Sequence, residues 1–488
     1  MHSQVVMRII GILLMLFSFT MVPPMLVGLI YFSEGAIPPF VKTFLLTLVS
    51  GFLLYWPLRR VKLKLRLRDG FMVVVLFWTV LSLFGALPFI FYHAIDIPDM
   101  SVTDAVFESV SGLTTTGATV ITTIDQLPHS ILYYRQQLQW LGGMGIVVLA
   151  VAVMPMLGIG GMQLYRAEAP GPMKDSRLTP RIAETAKALW YIYLGLTVAC
   201  ALAYWAAGMT LFNAIGHSFS TVAIGGFSTH DASMGYYSDT PMIEVVAIIF
   251  MFVAGINFAL HFMAWRGRTT APYHLDEELQ VYIMVLLGVG VITVGYLYFS
   301  GHFDSLYESA LHGLFQTVSM TTTTGFTTSD YHNWPSFLPV LLLFASFIGG
   351  CAGSTGGGMK VIRFVLLLKQ GKREVAKLIH PNAVIPIKIS GKPMPDKVIS
   401  AVWGFLATYV ALFSMMMLTL MATGLDQVTA FSAVAACMNN MGPGHGEVGY
   451  HYGTLSDTAK WVLCFAMLLG RLEIFTLLVI FTPVFWRR

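Results

Sequence analysis

The chain has 488 residues, of which 56% are hydrophobic and 11% are charged, and its formal net charge is +4. This composition excludes an ordinary soluble domain and predicts a protein that crosses a membrane many times. The four cysteines are scattered without a CxxC pair, so we expect small apolar fillers and neither a disulfide framework nor a metal site.

The N-terminal part, residues 1–68, predicts a pair of helices and a basic linker. Apolar segments occupy residues 7–31 and 41–58, and no small-residue cleavage site precedes Pro23, so we expect a helix and not a signal peptide. In residues 59–68, Lys and Arg alternate with apolar residues. That pattern is typical of a cytoplasmic segment at anionic lipid headgroups, and we expect no nucleic-acid binding.

A short glycine-containing stretch then recurs four times. Its glycines are Gly117, Gly226, Gly325 and Gly442. The intervals between them, 109, 99 and 117 residues, are too long for a solenoid repeat and fit a whole structural unit that occurs four times. The first and third stretches are rich in threonine, whereas the second and fourth have Ile224 and Met441 in place of a threonine.

Each stretch follows a short segment and lies between two apolar runs. The predicted capping or turn residues at the start of the short segments are Asp104, Asn213, Asp304 and Asp426. A helix from Asp104 to Thr116 would be roughly 20 Å long and would cross only part of a hydrocarbon core of about 30 Å. Irregular backbone at that depth is tolerated only where it is buried in protein or lines a water-filled path.

These patterns predict an all-α polytopic membrane protein with ten spanning and four re-entrant helices. The four predicted repeats, each a helix, a pore helix and a helix, are residues 69–160, 182–268, 277–370 and 396–488. Their predicted spans are residues 71–93, 137–157, 188–207, 242–265, 281–299, 337–368, 399–422 and 461–485. The remaining two spans are the N-terminal pair.

The distribution of basic residues predicts the orientation of the chain. The loop regions 93–134, 209–241, 301–336 and 425–458 contain thirteen acidic residues and no Lys or Arg. The basic segments are residues 59–68, 166–187, 266–268, 369–397 and 487–488. By the positive-inside rule the glycine loops open outward, the repeats are parallel and both termini are cytoplasmic. This rule alone would account for the absence of Lys and Arg from the outer loops. The thirteen acidic residues in the same loops additionally favour a path for cations.

The glycine stretches have the composition of an ion filter. A filter replaces the hydration shell of a cation with backbone carbonyls, glycine permits the positive φ of such a turn, and threonine hydroxyls add oxygen ligands. The candidate filter residues are Thr115, Thr116, Gly117, Ile224, Gly225, Gly226, Thr323, Thr324, Gly325, Asn440, Met441 and Gly442. We assign no metal role to His217, His230, His312 and His445, which flank the loops.

A glycine-rich run interrupts the second span of the third repeat. A phosphate-binding Walker A loop requires Lys directly after its last glycine and then Ser or Thr. Here Met359 separates Gly358 from Lys360 and Val361 follows, which excludes phosphate binding. The run is either a close-packing stripe of small residues or a loop that faces the water path, and we favour the loop. The candidate gate residues are Gly349, Gly350, Gly353, Ser354, Thr355, Gly356, Gly357 and Gly358.

Arg471 lies in the middle of the last predicted span. An arginine at membrane depth normally faces a cavity or a partner, and Glu473 is a poor direct partner because it points about 200° around the helix. Two interpretations stay open, a structural ion pair with an acid of another repeat or a positive charge that tunes ion occupancy. Lys360, which follows the glycine-rich run, is the second candidate charge.

With these four glycines in register, the whole chain resembles the Trk/Ktr/HKT superfamily of potassium transporters, and most closely its TrkH family. The resemblance implies a pseudo-four-fold pore with one filter glycine from each repeat, an intramembrane gate loop at the glycine-rich run and a basic residue at Arg471. Gly117 stands where sodium-favouring plant relatives have serine, which indicates potassium. Residues 442–444, Gly-Pro-Gly, are similar to the Gly-Tyr-Gly of potassium channels.

The resemblance implies channel-like potassium uptake across the bacterial inner membrane, with K⁺ bound at the filter and no covalently bound cofactor. It also implies a homodimer and a cytoplasmic, nucleotide-sensing, TrkA-like regulatory subunit, which carries the nucleotide and docks on residues 166–187 and 369–397. The alternative is a secondary transporter that couples K⁺ or Na⁺ to H⁺ or Na⁺, which predicts inverted repeats and buried acids. We expect no enzymatic activity, because no nucleophile–base pair or ligand cluster occurs in the spans.

Overall fold

The computed structural model describes residues 3–32, 34–61, 66–92, 100–143, 145 and 182–487. Most of these residues are helical. Part of the predicted span 137–157, the middle of the basic stripe and most of segment 166–187 lie outside the described residues.

The N-terminal helices form a tightly crossed hairpin. Its elements are α1 (Ser3–Ser18), α2 (Val22–Ile30) and α3 (Ile37–Tyr55), with 3₁₀ turns at Phe19–Met21, Glu34–Ala36 and Trp56–Leu58. Gly11 of α1 and Gly51 of α3 lie at the crossing, where a Cβ on Gly11 would be 2.8 Å from the Gly51 carbonyl oxygen. The absence of side chains at these two positions therefore lets the two backbones touch.

The first two repeats begin with long helices and contain one short buried helix each. The first consists of α4 (Leu67–Gly85), α5 (Leu87–Phe91), α6 (Val102–Leu113), a 3₁₀ turn (Ile124–Gln126) and α7 (His129–Gly143). The second consists of α8 (Ile182–Ala206), α9 (Leu211–Ala223), a 3₁₀ turn (Ser233–Tyr237), α10 (Pro241–Ala254) and α11 (Phe258–Gly267). The short α12 (Ala271–Leu275) leads to the third repeat.

The last two repeats have the same order of elements. The third consists of α13 (Glu277–Phe299), α14 (Leu306–Thr322), a 3₁₀ turn (Tyr331–Asn333), α15 (Phe337–Ile348) and α16 (Val361–Ile379). A two-stranded antiparallel hairpin follows, with β1 (Lys388–Ile389) paired to β2 (Lys392–Pro393). The fourth consists of α17 (Asp396–Ala422), α18 (Gln427–Met438), a 3₁₀ turn (Gly446–Val448), α19 (Asp457–Arg471), α20 (Phe475–Leu478), a 3₁₀ turn (Val479–Phe481) and α21 (Pro483–Trp486).

The structure corrects three of the four caps that were predicted for the short helices α6, α9, α14 and α18. The observed caps are Ser101, Thr210, Ser305 and Asp426, whose side chains accept from backbone N–H groups of the first turn. The predictions are wrong for Asp104, Asn213 and Asp304. Asp104 lies inside the first turn, and its N–H donates to Ser101 Oγ at 3.1 Å. A Ser or Thr three residues earlier satisfies the N–H of Asp104 and of Asn213, so α6 and α9 begin before these residues. Asp304 directly precedes the cap Ser305.

The described residues contain six helices that are long and apolar enough to span a membrane. They are Ser3–Ile30, Ile37–Leu58, Arg68–Phe91, Lys187–Ala206, Glu277–Phe299 and Asp396–Ala422. Two bent pairs, Pro241–Ala254 with Phe258–Gly267 and Asp457–Arg471 with Phe475–Phe481, raise the number to eight if each pair is one span. Their apolar side chains, together with the composition, make this an integral membrane protein.

Two spans that were predicted to be continuous are broken, which corrects the spans 242–265 and 461–485. The chain bends by 89° between α10 and α11 and by 109° between α19 and α20. At the first break Asn257 caps α11 by accepting from Ala259 N at 2.9 Å. At the second break Glu473 and Ile474 have positive φ values of 54° and 46°. A left-handed pair of residues cannot continue a right-handed helix, so α19 ends at Arg471.

Candidate ion filter and gate

The four short helices are buried and end at one place. Each leads into a strand of three residues that contains the predicted filter positions, and we call these strands S1 (115–117), S2 (224–226), S3 (323–325) and S4 (440–442). The C-terminal end of a helix carries a partial charge equivalent to roughly −0.5. Four such ends at one place therefore favour a cation.

The four strands share one backbone conformation. Their first residues, Thr115, Ile224, Thr323 and Asn440, have φ values of 55°, 54°, 70° and 53°. Their glycines have φ values of 82°, 80°, 84° and 96° in the same order. The middle residues donate N–H to a carbonyl five residues earlier, at 2.9, 2.8, 2.7 and 2.8 Å. Three of the left-handed first residues are β-branched, at a cost of roughly 1–2 kcal/mol each.

The glycines form a closed ring, which we call the glycine ring. A Cβ on Gly117 would lie 2.1 Å from the carbonyl oxygen of Gly225, and one on Gly226 would lie 2.1 Å from that of Thr324. Likewise, a Cβ on Gly325 would lie 2.0 Å from the carbonyl oxygen of Met441, and one on Gly442 would lie 2.7 Å from that of Thr116. The order S1–S2–S3–S4–S1 is therefore complete, and only glycine fits at these four positions without displacing a neighbouring strand.

The threonine hydroxyls of S1 and S3 have protein partners. Thr116 Oγ1 lies 2.7 Å from Thr114 Oγ1, and Thr324 Oγ1 lies 2.8 Å from Thr322 Oγ1. Thr116 Oγ1 also accepts from Asn440 Nδ2 at 2.9 Å, which ties S1 to S4. The oxygen atoms that all four strands share are thus the backbone carbonyls. This explains how S2 and S4 can match S1 and S3 without a threonine.

Gln139 of α7 forms hydrogen bonds to S2 and to the residue after it, a role that the sequence did not predict. Its Oε1 accepts from Phe227 N at 3.0 Å, and its Nε2 donates to Gly225 O at 2.5 Å. The side chain is fully buried. No local sequence pattern distinguishes such a glutamine from an ordinary helical residue. Its amide can both accept from a backbone N–H group and donate to a backbone carbonyl group of a neighbouring strand.

A cavity of about 260 Å³ lies on one side of the glycine ring, and all four ring glycines contribute to its wall. The outer loops supply the rest of the wall, including Asp231 and Asp330. The expectation of a vestibule without bases is wrong, because Arg135 also lines this cavity and forms an ion pair with Glu108. Loop region 93–134 ends one residue before this arginine, so the base reaches the vestibule from helix α7.

The glycine-rich run lies on the opposite side of the ring. Gly357 N donates to Thr323 Oγ1 at 2.6 Å, and Gly358 N donates to Asn439 O at 2.9 Å. Thr355 Oγ1 donates to Val222 O at 2.9 Å. The run thus contacts residues at the ends of three short helices, α9, α14 and α18, directly beneath S2, S3 and S4.

The break between α10 and α11 holds the other side of the run. Cys351 N donates to Gly255 O at 2.9 Å, and Gly353 O accepts from Phe258 N at 3.0 Å. Glu278, in the first turn of α13, accepts from Ala352 N at 2.6 Å. The two broken helices therefore exchange their free backbone groups, which satisfies polar atoms that would otherwise be exposed at membrane depth.

Arg471 joins S1 to the glycine-rich run. Its Nη1 donates to Thr115 Oγ1 at 3.3 Å and to Thr355 O at 3.2 Å, and its Nη2 donates to Gly142 O at 2.6 Å. Glu473, which was expected to be a poor direct partner of Arg471, forms an ion pair with Arg363 of α16. The arginine is the last residue of α19 and does not lie in the middle of a helix.

Lys360, the second predicted charge, is buried at the end of the run. Its Nζ donates to Gly356 O, and its φ is 75°. Among the described residues, no group of three or more His, Cys, Asp or Glu side chains could hold a metal ion. The arrangement therefore offers carbonyl oxygens to a cation in the ring and two fixed positive charges beside the run.

Comparisons with known proteins point to one family. A sequence model of the TrkH family, described as cation transport protein, matches residues 36–487. The chain is 57% identical to the Trk system potassium uptake protein TrkH of Halomonas elongata and 55% identical to that of Escherichia coli K12, with 100% of each chain covered. It superimposes on the crystal structure of the potassium transporter TrkH from Vibrio parahaemolyticus with a TM-score of 0.90 and 55% identity, over 100% of both chains.

Proposed function

Because this chain belongs to the TrkH family of cation transport proteins, we propose that it takes up potassium ions across the bacterial inner membrane by channel-like permeation through the glycine ring. Its relatives are potassium uptake proteins, so its function is transport and not catalysis. In this proposal K⁺ is the cargo, bound at S1–S4, and no other metal or covalent cofactor takes part.

One observation carries the proposal, namely the closed order of four equivalent strands with a cavity on one side. The carbonyl groups of Thr116, Gly225, Thr324 and Met441 each approach the glycine of the preceding strand in the order S1–S2–S3–S4–S1. A ring of carbonyls can replace the hydration shell of a cation, and its size and field strength decide which cation fits. The outer cavity supplies the route by which a hydrated ion reaches the ring.

We assign the pore to four parallel repeats, residues 69–160, 182–268, 277–370 and 396–488, preceded by the N-terminal pair. The proposed total is ten spanning helices. The eight spans counted with the bent pairs are supplemented by the span predicted from the sequence at residues 137–157, of which α7 contains the first part, and by α15 with α16, which the glycine-rich run separates. The glycine loops then face outward and both termini are cytoplasmic.

We further propose that residues 349–358 are the gate. The run lies beneath the ring, and its six glycines leave it with few side chains that could anchor it. Opening would break the contacts to Thr323, Asn439 and Val222 described above. Arg471 couples this movement to S1, and together with Lys360 it places positive charge beside the ion path, where it reduces cation occupancy.

The proposed assembly is a homodimer with a cytoplasmic, nucleotide-sensing, TrkA-like subunit. Residues 369–397 supply part of the docking surface, because α16 and the β1–β2 hairpin carry exposed lysines. A partner bound there could pull α16, which begins directly after the gate run. The nucleotide belongs to the partner, since this chain has no phosphate-binding loop.

Ion flux from the purified protein in liposomes tests the proposal. We expect K⁺ to pass faster than Na⁺ down its own gradient, with no H⁺ or Na⁺ gradient imposed. A K⁺ flux that requires an opposing or parallel H⁺ or Na⁺ gradient would favour the alternative, a coupled secondary transporter. Empty liposomes prepared from the same lipid provide the background rate.

A further inference from the structure

A buried ion pair lies at the outer side of the glycine ring. Arg135 Nε of α7 and Glu108 Oε1 of α6 are 2.8 Å apart, and the two side chains are 1% and 0% exposed. A buried pair of this kind is expensive to desolvate and is retained where its hydrogen bonds fix a geometry. The contacts of each partner identify what this pair fixes.

Glu108 holds the chain that leaves S1. Its carboxylate accepts from Thr119 Oγ1 at 3.0 Å and from Val120 N at 3.0 Å. These residues follow Gly117 by two and three positions. The carboxylate therefore fixes the segment that sets the direction of the Gly117 backbone as it leaves the ring.

Arg135 connects this segment to S2. Its Nη2 donates to Thr119 Oγ1 at 3.2 Å, and its Nη1 donates to Ser228 O at 3.0 Å. Its guanidinium also lies 4.3 Å from the centre of the Phe227 ring. The planar guanidinium group thus bridges the outward ends of S1 and S2, which the single ammonium group of a lysine could not do.

The other junctions of the ring are held by hydrogen bonds, and among the described residues these include a contact of the Tyr450 hydroxyl with the Asp330 carboxylate between the loops that follow S4 and S3. Between S2 and S3, Gly235 N donates to Thr327 O at 3.0 Å, and between S4 and S1, Tyr452 N donates to Thr119 O at 2.7 Å. Between S3 and S4, Tyr331 Oη donates to Gly444 O at 3.4 Å. Of these braces, the one between S1 and S2 contains a buried ion pair, and its Arg135 also lines the outer cavity.

We propose that Arg135 and Glu108 are positioning residues that set the distance between S1 and S2 and thereby the discrimination of K⁺ from Na⁺. The inference rests on the proposed function of the ring as the filter. A filter that selects by the spacing and field of its carbonyls must resist contraction around the smaller ion. The pair supplies this resistance without adding net charge to the vestibule, because each partner neutralises the other.

The test compares Arg135→Lys, Glu108→Gln and the parent in liposomes, with the K⁺/Na⁺ flux ratio as the readout. Arg135→Lys keeps the charge and removes the bridge, so we expect the ratio to fall about tenfold while K⁺ still passes. Glu108→Gln keeps an oxygen acceptor for Val120 N and removes the ion pair, so it serves if the lysine variant fails to fold.

Lys460→Gln is the matched control, because Lys460 Nζ forms a buried ion pair with Asp104 at 2.6 Å that touches none of the four strands. We expect this variant to keep the parental flux ratio. An unchanged ratio in folded Arg135→Lys or Glu108→Gln would overturn the inference, as would an equal loss in Lys460→Gln. A parent that passes no K⁺ would instead overturn the proposed function, so the two failures are distinguishable.

Discussion

At the scale of single residues, the glycine ring depends on the absence of four side chains. Gly117 combines a positive φ with a neighbouring carbonyl oxygen that a Cβ would approach to 2.1 Å. Both features act against any substitution, but only the second concerns the geometry of the ring. The two effects can be separated, because other glycines of this chain have positive φ and open surroundings.

We expect Gly117→Ser to displace S2 and to lower the K⁺/Na⁺ flux ratio in liposomes, because its Cβ would collide with the Gly225 carbonyl. Gly301→Ser is the control, since Gly301 has a φ of 67° and no atom within 4 Å of a Cβ. The control carries the same backbone strain and should keep the parental ratio. Equal ratios in both variants would contradict the assignment of the ring as the filter.

Arg471 allows a second residue-scale prediction. Its hydrogen bonds to Thr115 Oγ1 and Thr355 O tie S1 to the gate run, so Arg471→Ala should loosen the run and raise K⁺ flux without a regulatory partner. Flux per folded molecule and the unfolding temperature should be measured together. A lower unfolding temperature with unchanged flux would favour a purely structural role for the arginine.

The outer loops contain a histidine pair with a pH dependence of its own. Burial, and then the neighbouring His445, lowers the pKa of His332 to about 4, and burial also lowers the pKa of His445. Their Nδ1 atoms are 3.3 Å apart. The native state therefore favours the neutral rings, whereas the unfolded chain takes up protons below a pKa of about 6.5.

The stability that this pair contributes is thus present above pH 6.5 and is lost as the pH falls towards 4. We expect the unfolding temperature of the detergent-solubilised protein to fall over this interval. His332→Gln should show a shallower fall, since one of the two linked groups is removed. If the unfolding temperature of this variant falls with pH as steeply as that of the parent, the pKa of His332 does not differ between the folded and the unfolded state.

At the scale of elements, the broken helices α15–α16 and α10–α11 form one unit. The glycine-rich run bonds to the break at Gly255 and to the ends of the short helices beneath the ring. A run of small residues that is held by hydrogen bonds can move as a segment, because no large side chain has to be extracted from the core. This arrangement makes the run suited to a gate.

We expect removal of residues 350–357 to raise K⁺ flux in the absence of the partner and to weaken the control that the partner exerts. Gly357→Ala is a milder variant, because a Cβ there would lie 2.0 Å from Asn439 O and would push the run away from S4. Gly288→Ala in α13, where a Cβ meets no atom within 4 Å, is its control. Flux at or below the parental value in both gate variants would leave close packing as the role of the run.

At the scale of the whole molecule, we propose that the acidic loops and the basic segments lie at opposite ends of the spans, as the positive-inside rule predicts. The exposed Lys372 and Lys392 belong to the basic end, and we propose that they bind an acidic surface of the regulatory partner. Replacing both by glutamate should slow association with the partner and weaken binding by about tenfold at low salt. Lys42→Glu, which changes an exposed charge near the start of α3 and outside the basic segments, should leave the affinity unchanged in the same binding assay.

The sequence by itself determined the class of protein, the places of the four glycines and the interruption after Ile348. These features are local, because a need for positive φ, a length of apolar helix or a run of glycines is written in consecutive residues. The three misplaced helix caps show the limit even of local patterns, since neighbouring polar residues compete for the same backbone N–H groups.

Only the tertiary structure decided the order of strands around the ring and the residues that brace it. Gln139, Arg135 and Glu278 act on backbone atoms that are 86, 93 and 74 residues away in the chain. The same holds for the break after Ala254, where Cys351 N, from a distant segment, donates to the carbonyl oxygen of Gly255. Such contacts depend on how the repeats meet in space, and no single stretch of sequence contains both partners.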